Sequence, residues 1–223
     1  YMDYGMHKEM LEDLLLYHSD KEDKMLTLAE YVEKMPEDQK HIYYACGETV
    51  EKCRLLPAME LLRDKGYDVL CMTDNVDEFT IRMMNQYKEK SFKSIADGDL
   101  GLETEEEKEE IKKQAEEHAS VLTAVKDALG DKVTKVQLTG RLKSHPCCLS
   151  TEGGMSLEME KVLNQQAMGS EQNFHAERVL ELNSAHPIFE KLCAFAGDNT
   201  DKLAQLASVL YNQALLIEGM PID

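Results

Sequence analysis

Apolar positions in the first hundred residues recur with the spacing of short helices and buried strands. The pattern predicts helices at 7–17, 27–34, 57–65 and 75–87, and strands at 41–46 and 69–72. The two strands are almost wholly apolar and flank a helix, which is typical of a parallel βαβ unit. Residues 1–98 are therefore predicted to form an α/β layer domain.

The second half has a different arrangement, after a turn-rich acidic junction at 96–101. Its periodicity predicts helices at 104–130, 155–163, 187–195 and 203–218, and short strands at 133–139, 147–149 and 178–182. Thr104 with Glu107 forms a capping-box pattern at the start of the first helix. Residues 99–223 are predicted to form an α+β domain with a small sheet and at least four helices.

The charge of the chain excludes two classes of partner. The 223 residues carry 25 basic and 43 acidic side chains, a net charge of −18, and neither half has a basic tail. Phosphate contacts need cations, so we expect no nucleic-acid partner and no membrane partner. Apolar runs are far shorter than the roughly 18 residues that span a bilayer. Six unevenly spaced cysteines favour a reducing cytoplasm.

Conventional catalytic motifs are absent from the sequence. Gly47, Gly66 and the pair at 153–154 fit no phosphate-binding loop. His145, Cys147 and Cys148 stand close together and leave a thiol or metal enzyme as an alternative. Zinc and redox motifs, however, usually place two residues between their cysteines. No metal site and no catalytic residue is therefore predicted.

One amphipathic segment follows two glycines and precedes the polar run 168–173. Its apolar stripe, with the spacing i, i+4, i+7 and i+8, consists of Met155, Met159, Val162 and Leu163. Flexible methionine side chains suit a surface that binds many partners. The same stripe also fits an ordinary core helix, and periodicity alone slightly favours the core.

Two further helices have apolar faces. Phe79 stands with Ile81, Met83 and Met84 in the predicted helix 75–87, where the spacing favours a core face. The last helix has a broad apolar face formed by Leu203, Leu206, Leu210 and Ala214. Such a face either packs on its own domain or pairs with a second copy of the chain.

Several motifs resemble the heat-shock protein 90 chaperone family, and its bacterial branch most closely. They are Tyr31-Val32-Glu33-Lys34-Met35, Gln39-Lys40-His41-Ile42-Tyr43-Tyr44-Ala45-Cys46-Gly47-Glu48, Lys65-Gly66-Tyr67-Asp68-Val69-Leu70, Leu129-Gly130-Asp131-Lys132-Val133, Pro146-Cys147-Cys148-Leu149 and Leu180-Glu181-Leu182-Asn183. The resemblance covers nearly the whole chain. It implies a distal middle domain at 1–98 and a C-terminal dimerisation domain at 99–223.

The resemblance implies a fragment of a dimeric, ATP-dependent chaperone that binds unfolded or partly folded client proteins in the cytoplasm. In that family the nucleotide domain precedes the region matched here. The fragment is therefore expected to be no enzyme and to hold no cofactor, whereas ATP and Mg belong to the parent protein. A purely structural dimerisation scaffold is the other interpretation.

Individual residues match functional positions of the family. The client-binding helix matches Met155, Met159, Val162 and Leu163, which raises the expectation that this stripe is exposed. A client-contacting aromatic matches Phe79, where the bacterial pattern often has Trp. The dimer interface uses the last two helices of each chain, and Leu203, Leu206, Leu210 and Ala214 match the first of them. The second would begin near residue 219, so we expect weakened dimerisation.

Overall fold

The computed structural model describes residues 11–166 and 173–222. The chain divides into two compact units, Tyr1–Ile95 and Ala96–Asp223. This division falls three residues before the boundary expected from the sequence. The difference arises because the Asp97 carbonyl accepts a hydrogen bond of 2.8 Å from Nη1 of Arg141, which ties the junction to the second unit.

A six-stranded mixed sheet with the order β2-β1-β4-β3-β6-β5 organises the first unit. Its strands are β1 (Leu16–Ser19), β2 (Lys24–Thr27), β3 (His41–Cys46), β4 (Leu70–Met72), β5 (Gln86–Tyr87) and β6 (Lys90–Ser94). The predicted parallel pairing of β3 with β4 is confirmed, with Ala45 opposite Cys71. The prediction of a helix through residue 17 is wrong at its end, because β1 pairs there with both β2 and β4; the start of that helix lies outside the described residues.

Among the described residues, four short α-helices accompany this sheet: α1 (Leu28–Lys34), α2 (Val50–Arg54), α3 (Met59–Asp64) and α4 (Asp77–Met84). A capping box begins α1, since the Thr27 hydroxyl accepts from the Glu30 amide and the Glu30 carboxylate accepts from the Thr27 amide. Helix α4 ends earlier than predicted because residues 86–87 form β5.

The second unit is built on the three-stranded sheet β7-β9-β8. Its strands are β7 (Lys135–Leu138), β8 (Cys147–Glu152) and β9 (Glu177–Leu182), and its helices are α5 (Glu105–Glu117), α6 (Ala119–Leu129), α7 (Leu157–Gln166), α8 (Pro187–Asp198) and α9 (Thr200–Ile217). Strand β9 is central, parallel to β7 and antiparallel to β8. Strand β7 therefore lies at an edge of the sheet.

The single helix predicted at 104–130 is two helices, α5 and α6. His118 separates them with a backbone conformation of φ −101° and ψ 17°, outside the helical region. Its ring packs edge-on against Phe189 of α8 at a centroid distance of 5.1 Å. Tertiary packing therefore sets the break, which the continuous apolar stripe does not reveal.

Candidate protein-binding surfaces

Helix α7 carries the apolar stripe predicted to contact partners. It begins at Leu157, two residues later than expected, and the Ser156 hydroxyl accepts a 3.0 Å hydrogen bond from the Met159 amide. The chain enters this helix through Gly153 and Gly154, which have φ values of 76° and 85°. Glycine accepts such positive φ without the strain that a Cβ would cause. The predicted exit loop at 168–173 lies, apart from residue 173, outside the described residues.

A buried glutamate fixes α7 to the second unit. Glu160 accepts a 2.8 Å hydrogen bond from the Ala176 amide and a 2.5 Å bond from Nη2 of Arg178. Arg178 also donates to the Tyr211 hydroxyl at 2.8 Å, and that hydroxyl donates to the Lys132 carbonyl at 3.2 Å. This chain of hydrogen bonds joins α7 to β9 and α9.

Two further polar contacts hold the same helix. The Lys161 ammonium donates to the Glu218 carbonyl at 3.1 Å, just after the end of α9. The Asn164 side chain exchanges two hydrogen bonds with the backbone of Phe174, at 2.8 and 2.9 Å. Polar residues outside the apolar stripe therefore also attach the helix to the second unit.

The apolar stripe of α7 is divided between core and surface. Val162 is only 2% exposed and belongs to the core, so its assignment to a client surface is corrected. Leu157, outside the predicted stripe, is also buried. Met155 is half-buried and packs against the core cluster. Met159 and Leu163 are half-buried as well, so these three residues remain the accessible part of the stripe.

Helix α4 in the first unit presents an apolar surface to solvent. Ile81 and Met84 are buried, as the predicted core face requires, but Met83 is 50% exposed. Phe79 is half-buried, and Val76, just before the helix, is 61% exposed. Val76, Phe79 and Met83 have the spacing i, i+3 and i+7 of one helical face. We call these three residues the α4 stripe; the sequence interpretation missed Val76.

Helix α4 also contains a buried glutamate, and its charged partner lies one turn away. The Glu78 carboxylate accepts from Nε and Nη2 of Arg82 at 3.1 and 3.0 Å. Arg82 is half-buried and reaches solvent, in contrast to the deeply buried Glu78.

Helix α9 turns most of its predicted interface inward. Leu203, Leu210 and Ala214 are buried in the core of the second unit, so their assignment to a dimer interface is corrected; Leu206 is half-buried. The apolar side chains that reach solvent are Val209 and Leu216, at 60% and 61% exposure. They are seven residues apart, a spacing that places them on one face. The heptad spacing was the signal that could have identified them.

The two vicinal cysteines do not form one reactive centre. Successive side chains of a strand point to opposite faces, and Cys147 and Cys148 do so on β8. The Cys147 thiol donates to the Leu210 carbonyl at 3.3 Å, and burial raises its pKa to about 12. Burial likewise raises the pKa of Cys148. Both are protonated at neutral pH, and no group of metal-binding side chains occurs among the described residues.

Cys148 belongs instead to a buried ionic network around Glu181. The Glu181 carboxylate accepts from Nε of Arg141 at 2.7 Å and from the Ser150 hydroxyl at 2.5 Å. Nη2 of Arg141 lies 3.4 Å from the Cys148 sulfur. A buried charge pair with every oxygen bonded is a structural feature of the sheet. The alternative of a thiol or metal enzyme is therefore not favoured.

Within the described ranges, no helix is both long and apolar enough to cross a membrane.

Solvent-exposed apolar side chains on the helices of two acidic units are typical of proteins that bind other proteins. The chain belongs to the Hsp90 protein family, whose model matches residues 2–223.

The chain is similar in sequence to curated relatives over its whole length. It is 50% identical to the chaperone protein HtpG of Clostridium acetobutylicum over 223 residues, 48% identical to that of Bacillus velezensis over 222 residues, and 50% identical to that of Oceanobacillus iheyensis over 223 residues. Each match covers 100% of this chain and 35% of the relative. The chain thus spans about a third of the length of these chaperones.

Proposed function

We propose that the chain is the client-holding and dimerisation portion of an ATP-dependent molecular chaperone. Residues 1–98 would be the distal part of a middle domain, and residues 99–223 a C-terminal dimerisation domain. The observation that carries this proposal is the family match across residues 2–223, with about half of the residues identical to HtpG chaperones. ATP and Mg would act in the part of such a protein that this chain does not span, and the cytoplasm would be its compartment.

The α4 stripe supports client binding by the first unit. A partly folded protein exposes apolar side chains, and burying them against this surface gains roughly 25 cal/mol per Å² of apolar area. Phe79 would contribute an aromatic contact, flanked by the more exposed Val76 and Met83. The net charge of −18 would keep such an apolar surface in solution.

In the second unit, the accessible residues of α7 would extend client binding. Met155, Met159 and Leu163 are half-buried, so each leaves part of its side chain to a partner. Two of them are methionines, whose unbranched side chains adapt to differently shaped surfaces. Val162 would support this surface from beneath.

Client holding can be tested with a double variant of the α4 stripe. We expect Val76→Ser with Met83→Ser to require about threefold more protein to suppress aggregation of a heat-denatured enzyme, because apolar contact area is lost. Leu55→Ser is the matched control, since Leu55 is 69% exposed in the same unit but outside the stripe. Equal suppression by the double variant and the parent chain would contradict client binding at α4.

Dimerisation would use the outer face of α9. We expect Val209→Asp with Leu216→Asp to weaken self-association at least tenfold in sedimentation equilibrium, since two charges would enter an apolar contact. Ser120→Asp, an exposed position on α6, is the control for added charge in the same unit. If the chain is a dimerisation scaffold without client contact, the double variant would associate more weakly, but the parent chain would not suppress aggregation.

A further inference from the structure

A groove of about 360 Å³ in the second unit lies outside the surfaces considered above. One wall is the edge strand β7, and the other is formed by helix α5 with part of α6. Apolar side chains from both walls line it, including Ile111, Ala115 and Leu122. The volume falls within the range of protein ligand sites, about 300–1,000 Å³.

The groove runs along the open edge of β7. It contacts Lys135, Val136, Gln137, Leu138 and Thr139, which are five consecutive residues. Side chains of a strand alternate between the two faces of a sheet, so a groove on one face would contact only every second residue. Contact with all five therefore places the groove beside the backbone edge. The opposite edge of β7 is paired with β9.

Charge is distributed unevenly around this groove. Its lining contains Lys108, Lys112 and Lys135 but only one carboxylate, Glu103, although the chain as a whole has a net charge of −18. Helix α5 shows the separation most clearly, because none of its acidic residues lines the groove, whereas two of its lysines do. Burial and the nearby Asp99 raise the pKa of the Glu103 carboxyl.

We propose that this groove binds an extended acidic segment of a partner protein, which adds to the sheet as a fourth strand along β7. Backbone hydrogen bonds to an exposed strand edge supply affinity in such complexes, and alternate side chains supply specificity. Carboxylates of the segment would lie near Lys108, Lys112 and Lys135, and its apolar side chains would contact the Ile111 region. Four residues of β7 offer roughly 13 Å of edge, at about 3.3 Å per residue.

Fluorescence anisotropy of a labelled peptide provides the test. The probe is an eight-residue peptide of alternating valine and glutamate, acetylated and amidated at its ends, added to the full 223-residue chain. We expect saturable binding, and at least tenfold weaker binding of the same peptide with lysine in place of glutamate. Equal binding of both peptides, or no binding of the glutamate peptide, would overturn the proposal.

Two adjacent lysines supply matched variants. We expect Lys112→Glu to weaken binding of the glutamate peptide about fivefold, since it replaces an attraction by a repulsion at the groove. Lys113→Glu makes the same charge change at the next residue of α5, outside the groove lining, and should leave binding unchanged. Equal effects of the two variants would indicate general attraction to the helix and contradict a site at the groove.

Strand addition has a separate readout. Methylation of alternate backbone nitrogens of the peptide removes donors on one edge, and we expect it to weaken binding at least tenfold when that edge faces β7. Binding should also slow amide hydrogen exchange in residues 135–138. Unchanged exchange there, or displacement of the peptide by free glutamate at similar concentration, would show an anion site in place of strand addition and overturn the proposal.

Discussion

Helices α4 and α7 each contain one deeply buried glutamate, yet the arginines that pair with the two carboxylates lie at different separations along the sequence. Glu78 is bonded by Arg82, one turn along the same helix. Glu160 is bonded by Arg178 on β9 and by the Ala176 amide, both on another part of the chain. The Glu78–Arg82 pair joins two turns of one helix, whereas the Glu160–Arg178 pair attaches its helix to strand β9. An amphipathic pattern alone does not distinguish a helix that presents a surface from one that is anchored.

The largest effect should come from breaking the anchor of α7. We expect Glu160→Ala to lower the free energy of unfolding of the second unit by about 3 kcal/mol, because Arg178 keeps its charge in a largely buried position. Urea denaturation followed by circular dichroism measures the change. Glu158→Ala is the control, since its partner Lys161 lies within the same helix. A similar loss of unfolding free energy in Glu160→Ala and Glu158→Ala would contradict the anchoring role of Glu160.

A smaller effect is expected from the corresponding change in α4. Glu78→Ala should lower the free energy of unfolding of the first unit by about 1–2 kcal/mol, since Arg82 is half-buried and can turn to water. The same denaturation experiment measures it. A loss as large as that of Glu160→Ala would contradict the contrast between local and long-range pairing.

A third prediction concerns how the stability of the second unit depends on pH. Glu218 follows α9, and its backbone carbonyl accepts a hydrogen bond from Lys161 of α7. Burial raises the pKa of its side chain to about 7. The folded state then holds the proton of this carboxyl more tightly than the unfolded state does. The free energy that Glu218 contributes to stability therefore decreases as pH rises from about 5 to 7, by no more than about 1.4 kcal/mol per pH unit. Glu218→Gln should lose this dependence. An identical pH profile for the variant would show that Glu218 titrates normally.

Features set by neighbouring residues were predictable from the sequence. The capping boxes at Thr27 and Thr104 are both present, because a cap requires only a hydroxyl and a carboxylate three residues apart. Strands β1, β2, β5 and β6 were missed. They form two hairpins, and each hairpin joins the sheet through a strand distant in sequence, β1 with β4 and β6 with β3.

The candidate surfaces were predictable only in part, for the same reason. Periodicity identified α7 and α9 as amphipathic, but it does not fix which apolar side chains face the core. Val162 and Leu210 are buried, whereas Val209 is exposed. The role of Glu160 was missed because its partners lie 16 and 18 residues away.

The bond from Arg141 to the Asp97 carbonyl has a mechanical consequence. Arg141 is also bound to Glu181 on the central strand β9, so residue 97 connects to the middle of the sheet through two hydrogen bonds in series. A pulling force applied to the chain at residue 96 would act directly on strand β9, before it detaches any surface helix. A force applied at residue 96 would therefore reach the core of the second unit.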